Sequence, residues 1–262
     1  MRGAATPAPA APQRQRQGRG RVYKDPLPQA NAFRRPDAGI LGKFTLRSLP
    51  MRAKTSIEPE LALLMVNLAS PSRLCTLAGR AKVSLNPFCG AGTLLLACAL
   101  SQSQSSIPIL LGSDVEELNI LPNFEHFGVS TQALRLAGQH AIQDVLCSWP
   151  ALWKNNVFVD CIVTDPPYGM GARIFQRSEG DGESESEGDD NVVGALLRLA
   201  EQRLSMGGRV VFFNPWHPPA PKLLASACPS LRTIAIFEQR FSSTFSRFLC
   251  VLEYGVLASP KP

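Results

Sequence analysis

From Val157 to Val163 the chain reads Val-Phe-Val-Asp-Cys-Ile-Val, and after Thr164 it meets Asp165-Pro166-Pro167-Tyr168-Gly169. A short run this rich in β-branched and apolar residues suits a strand buried on both faces, the habit of parallel sheets covered by helices on each side. The strand must stop at the prolines, which have a fixed φ and no N–H to offer a neighbouring strand. One feature thus commits the chain to an α/β architecture, and the remaining patterns agree with it.

Strand and helix signals alternate along the rest of the sequence. Thr55-Ser56-Ile57-Glu58 reads as a capping box for a helix running to Ala69 before Pro71. Val83 to Asn86 is a strand that feeds a loop with Gly90 and Gly92 and then a helix over Leu94 to Leu100. Ile107 to Asp114 is the next strand, and a third falls near Leu134 to Ala137. Val192 to Leu204 reads as a helix ending at Gly207-Gly208, followed by a strand over Arg209 to Asn214 and a short helix over Ala220 to Ala227. Arg232 to Glu238 and Arg247 to Leu257 are closing strands. This alternation predicts a doubly wound, mostly parallel sheet with helices on both faces.

Charge divides the chain further. Residues 1–36 hold eight Lys or Arg against the single acid Asp25, whereas residues 179–190 hold seven acids and no base. The two segments offset one another, so the rest of the chain carries the whole net charge of +6, which suits a polyanionic partner such as RNA without requiring one. Residues 1–37, rich in Ala, Pro, Gln, Arg and Gly, are expected to be a disordered basic tail, and 38–262 one folded domain. The tail reads either as an RNA-brushing arm or as a transit peptide. The acidic Gly/Ser-rich block 178–190 is expected to be a solvated insertion in that domain; a role in repelling RNA from wrong poses is the alternative.

Seven cysteines, odd in number and without C-x-x-C spacing, read as reduced core thiols, and His126, His140 and His217 are too scattered for a metal cluster. No metal site is expected. No apolar run reaches the roughly 18 residues a membrane-spanning helix needs. The expected compartment is the cytoplasm, with organelle or nucleus open as alternatives.

Asp-Pro-Pro-Tyr at a strand end suits methylation of an exocyclic amine on a planar base. The nitrogen's lone pair is delocalised into the ring, so the amine must be gripped while a sulfonium methyl group is presented in line. Asp165 and the carbonyl of Pro166 can each accept one amine N–H, Pro167 stiffens the loop, and Tyr168 offers a face on which the base can stack. For a cofactor, Asn86-Pro87-Phe88 leads into a loop where Gly90 and Gly92 allow close backbone approach, and the following helix N-terminus can hold a carboxylate. Asp114, at the end of the second strand, is the candidate for ribose hydroxyls with Glu116 in reserve, and Asp144 for an adenine amine or else a surface acid. A cofactor contact from Thr55 or Ser56 is a further option.

From about Gly39 to Tyr254 the chain resembles the methyltransferase domain of the eukaryotic and archaeal tRNA guanosine-10 N2-methyltransferases. The resemblance is carried by Lys43-Phe44-Thr45-Leu46-Arg47, Thr55 to Ala62, Asn86 to Thr93, Asp160 to Gly169, and Phe237-Glu238-Gln239-Arg240-Phe241-Ser242-Ser243. It implies a Rossmann-like, class I S-adenosylmethionine-dependent methyltransferase fold with a seven-stranded sheet. It also implies S-adenosyl-L-methionine as donor, the N2 amine of a guanosine in tRNA as acceptor, and a heterodimer with a small zinc-binding activator protein. An adenine or cytosine amine in DNA or another RNA, and an inactive binding module, stay open as alternatives. Three departures stand out: Asn86 where the family has Asp, Ala91 where Thr is usual, and too few residues before Thr55 for the family's THUMP-type RNA-binding module. RNA capture is then expected to need a further segment or a partner.

Overall fold

The computed structural model describes residues 38–53, 56–69, 82–101, 108–114, 119–132, 134–137, 158–167, 188–215, 228–243 and 245–255. Among these, β1 (Val83–Asn86), β2 (Ile109–Ser113), β3 (Leu134–Ala137), β4 (Val159–Thr164), β5 (Leu204–Pro215), β6 (Leu231–Arg240) and β7 (Ser246–Tyr254) form one sheet. Their spatial order is β3-β2-β1-β4-β5-β7-β6. The pairs β3–β2, β2–β1, β1–β4 and β4–β5 are parallel, while β7 runs antiparallel to both β5 and β6. The order reverses between β1 and β4, and in open α/β sheets the crevice at the carboxyl ends of such strands is where ligands bind.

The helices are α1 (Ala38–Lys43), α2 (Pro59–Leu68), α3 (Thr93–Leu100), α4 (Leu121–His126) and α5 (Gly188–Arg203). Because side chains alternate along a strand, each central strand feeds two cores. Cys161, Val163, Val211, Phe213, Leu249 and Val251 pack on one face with residues of α2, α3 and α4. On the other face Ile162, Val210, Phe212, Cys250 and Leu252 meet Leu196, Leu199 and Ala200 of α5. This explains why β4 and β5 read as unbroken apolar runs.

The one acid inside that run is accounted for. Asp160 is buried, its Oδ2 accepts from the Val83 N–H at 2.8 Å, and its Oδ1 accepts from the Ser205 hydroxyl at 3.0 Å, so it staples β1 and β5 to β4. Arg209 of β5 does similar work, donating to Glu253 of β7 at 3.0 Å and to the Leu68 carbonyl at the end of α2, also at 3.0 Å.

Helices α2 and α5 differ from expectation in their boundaries. Helix α2 begins at Pro59 with Glu58 at the N-cap and no side-chain cap, so the expected capping box at Thr55 is not what starts it. Proline at the first helical position supplies the start instead, since its missing N–H would have been unpaired there anyway. Reciprocal capping occurs earlier, between Thr45 and Ser48 around a single 3₁₀ turn. Helix α5 begins at Gly188, before Val192, and ends at Arg203, because Leu204 already pairs with Val159 in the sheet. Gly207, at φ 74°, lies within β5 in a bulge and is not a helix cap. The expected helix over Ala220 to Ala227 lies outside the described residues.

Candidate active site

The carboxyl ends of β1, β2 and β4 meet at the switch point, and hydrogen bonds lock them to one another. Asn86, the last residue of β1, is buried, and its Oδ1 accepts from the Thr164 hydroxyl of β4 at 2.8 Å and from the Phe88 N–H at 3.1 Å. Pro87 follows, and its carbonyl accepts from the buried Ser113 hydroxyl of β2 at 3.2 Å, while the Cys89 N–H donates to the Ser113 carbonyl at 2.8 Å. Phe88 is half-buried beside this junction.

The loop then turns through two left-handed glycines, Gly90 at φ 51° and Gly92 at φ 77°. The Gly90 N–H donates to Asp114 Oδ2 at 2.7 Å, so Asp114, just past β2, closes the turn. Gly92 is the N-cap of α3 and supplies no side-chain cap to the helix. A Cβ at Gly92 would lie 2.9 Å from the Ile120 Cβ, so only glycine fits there without displacement. Two buried polar atoms of this loop, Asn86 Nδ2 and Thr93 Oγ1, have no hydrogen-bond partner among the described residues. Cys89 is a buried free thiol, which burial and then Asp114 push well above the usual thiol range, so it stays neutral and is no nucleophile.

Asn123 on α4, which composition did not single out, braces the loop from behind. Fully buried, it donates to the Ala91 carbonyl at 2.8 Å and to the Met51 carbonyl at 2.9 Å, and it accepts from the Met51 N–H at 2.8 Å. Its partners lie 32 and 72 residues away in sequence, beyond the reach of local patterns. Asn123→Ala is expected to destabilise the fold by about 2–4 kcal/mol, because it strands buried backbone groups as well as removing bonds. The check is urea denaturation, and an unchanged midpoint would show that the brace carries no weight.

At the end of β4 the chain delivers Asp165, Pro166 and Pro167, of which Pro166 is buried and the other two are partly exposed. Asp165 Oδ2 accepts from Arg247 Nη1 at 3.2 Å, an ion pair with both side chains mostly buried. Arg247 comes from β7 and was not anticipated. Its guanidinium lies 3.7 Å from the centre of the Phe213 ring and 5.2 Å from that of Phe241, and its Nε donates to Gln239 Oε1 at 2.8 Å. The available signal was an arginine at the mouth of an otherwise apolar strand, close behind the Phe237 to Ser243 block.

The structure therefore gathers Asn86, Pro87, Phe88, Gly90, Gly92, Asp114, Asp165, Pro166 and Pro167 at the carboxyl ends of neighbouring interior strands. Tyr168, Asp144, Glu116 and Thr55 lie outside the described residues. Ser56 is engaged locally, its hydroxyl accepting from the Ala53 N–H at 2.8 Å and donating to the Ala53 carbonyl at 3.0 Å. No helix among the described residues is long and apolar enough to cross a membrane.

A seven-stranded sheet in this order, with its antiparallel β7 and a glycine turn at the switch point, is the Rossmann-like fold of class I S-adenosylmethionine-dependent methyltransferases. A Listeria monocytogenes protein assigned to that class matches with a TM-score of 0.50 at 16% identity, over 78% of this chain and 61% of that one. In sequence the chain is similar to the tRNA (guanine(10)-N(2))-methyltransferase of Saccharomyces cerevisiae, 27% identical over 206 residues, covering 66% of this chain and 43% of the yeast protein. It is likewise similar to the tRNA (guanine(10)-N(2))-methyltransferase TRMT11 of Dictyostelium discoideum, 28% identical over 80% of this chain and 43% of that one, and to the human TRMT11, 23% identical over 82% and 50%. The chain thus spans half or less of the length of these relatives. No protein-family model matches it. Both the fold and the resemblance read from the motifs are borne out.

Proposed function

We propose that this chain is an S-adenosylmethionine-dependent methyltransferase that transfers a methyl group to the exocyclic N2 amine of a guanosine in tRNA, at position 10. One observation carries the reading: the Asn86–Thr164 hydrogen bond sets the start of the Asp165-Pro166-Pro167 loop directly beside the start of the glycine turn. A methyl donor seated on one would face an amine held by the other. The names of the similar proteins support guanine N2 of tRNA as the acceptor.

The residues present fit the donor. The left-handed glycines and the uncapped first turn of α3 suit its carboxylate, Asp114 its ribose, and Asn86 Nδ2 and Thr93 Oγ1 are buried polar atoms that still need partners. When bound, S-adenosylmethionine supplies an electrophilic methyl carbon on a positively charged sulfur. The chain's own part is positioning and electrostatics. Asp165 and the Pro166 carbonyl each accept one amine N–H, which holds the nitrogen and stabilises the positive charge that develops on it. Pro166 and Pro167 keep the loop stiff and free of competing N–H donors, and Tyr168 stacks on the base. Asp144 receives the adenine amine. A small zinc-binding activator protein completes a cytoplasmic heterodimer, and RNA capture draws on parts beyond this domain, as the greater length of the relatives suggests.

The test is to incubate the chain, with and without an activator, with labelled donor and separate pools of tRNA, ribosomal RNA and DNA. Label in tRNA, recovered as N2-methylguanosine after digestion, is the expected result. Label confined to DNA or ribosomal RNA would overturn the substrate, and no label in any pool would overturn the activity.

A further inference from the structure

The pairing register shows how Arg247 reaches Asp165. Phe213 of β5 stands between them: Thr164 is paired with Phe212, and Pro215 with Arg247. The guanidinium crosses the Phe213 ring to span two inter-strand gaps of roughly 5 Å each. The Phe213 ring against its face and the Gln239 bond at Nε restrict the guanidinium while Nη1 donates to the carboxylate. A mostly buried ion pair is a poor route to stability, because desolvating both charges consumes most of what their attraction returns. What such a pair does well is hold a carboxylate ionised and in one rotamer.

We propose that Arg247 is the positioning residue for Asp165, aligning its carboxylate with the amine to be methylated, and that Gln239 and Phe213 serve this alignment. The inference rests on the methyltransferase reading and extends it to residues outside the Asp-Pro-Pro-Tyr loop. Misplacing an acceptor by about 1 Å can lower turnover about 100-fold without altering binding. Arg247→Gln should therefore cut kcat by up to about 100-fold, with KM for tRNA and Kd for the donor, measured by calorimetry, held within about twofold. Arg247→Lys keeps the charge but loses the planar fork, so its kcat should fall between those of wild type and Arg247→Gln. Gln239→Leu, which frees the guanidinium to rotate, should show a smaller loss of the same kind and serves as a second test should Arg247→Gln fold poorly.

Normal turnover in Arg247→Gln overturns the inference. So does a loss seen wholly as raised KM for tRNA, which would make Arg247 an RNA contact, and so does a parallel collapse of donor binding, which would make its role structural. If wild-type chain labels no nucleic acid, the functional reading fails and this inference fails with it; the variant outcomes leave that reading standing.

Discussion

Replacing Asp165 with alanine is expected to lower methyl transfer to tRNA by about a hundredfold to a thousandfold, the usual cost of removing one preorganised group aimed at developing charge. The size follows from the amine's chemistry. Its lone pair is shared with the ring, so the nitrogen reacts only when its hydrogens are gripped by acceptors, and the Pro166 carbonyl alone offers one. The fold should tolerate the change. The side chain lies past the end of β4 and is 18% exposed, it packs in neither core, and its ion-pair partner Arg247 keeps Gln239 and the Phe213 ring. Donor binding by calorimetry should therefore match wild type, while the thermal midpoint should fall modestly, because Arg247 is left mostly buried without its carboxylate. Single-turnover transfer of labelled methyl is the measurement, and near-normal transfer would remove Asp165 from the chemistry.

The second large effect concerns stability. Gly92→Ala is expected to destabilise the chain by about 2–5 kcal/mol, combining about 1–2 for a left-handed non-glycine residue with about 1–3 for overpacking. The new Cβ would sit 2.9 Å from the Ile120 Cβ, and Ile120 is fully buried, so the branched end of a core side chain must move. Gly90→Ala is the internal control. It is also left-handed, at φ 51°, but its Cβ would find Ala53 only at 3.9 Å, so the loss should be confined to the backbone contribution of about 1–2 kcal/mol. Urea denaturation of the two variants separates the effects. Equal losses would show that crowding at Ile120 costs nothing.

Legibility in the sequence followed interaction range. Strand β4 and the Arg209 to Asn214 part of β5 were readable because burial on two faces leaves a short apolar run, and the glycine turn was readable because left-handed backbone selects glycine. The start of α2 was misread because Thr55 to Glu58 has the composition of a capping box, while Pro59 starts a helix without one. The start of β5 was misread because Gly207 resembles a helix stop, whereas its partner is the facing strand. Arg247 and Asn123 were missed for a common reason. Each acts through one to three bonds to residues tens of positions away, and no periodicity announces a buried polar brace. The roles of Tyr168 and Asp144 are carried by motif and position alone.

The antiparallel insertion of β7 between β5 and β6 has a consequence for how this chain can vary. Strand β6 brings the chain to the carboxyl end of β5 and β7 runs back from it, so the bend between Arg240 and Ser246 sets which way every later side chain faces. Losing one residue from that bend would slide β7 by a single step and turn Arg247 toward the α5 side of the sheet. A hairpin that need never touch RNA or donor would then decide whether Asp165 is held or released, which makes its length, more than its composition, the quantity selection must guard.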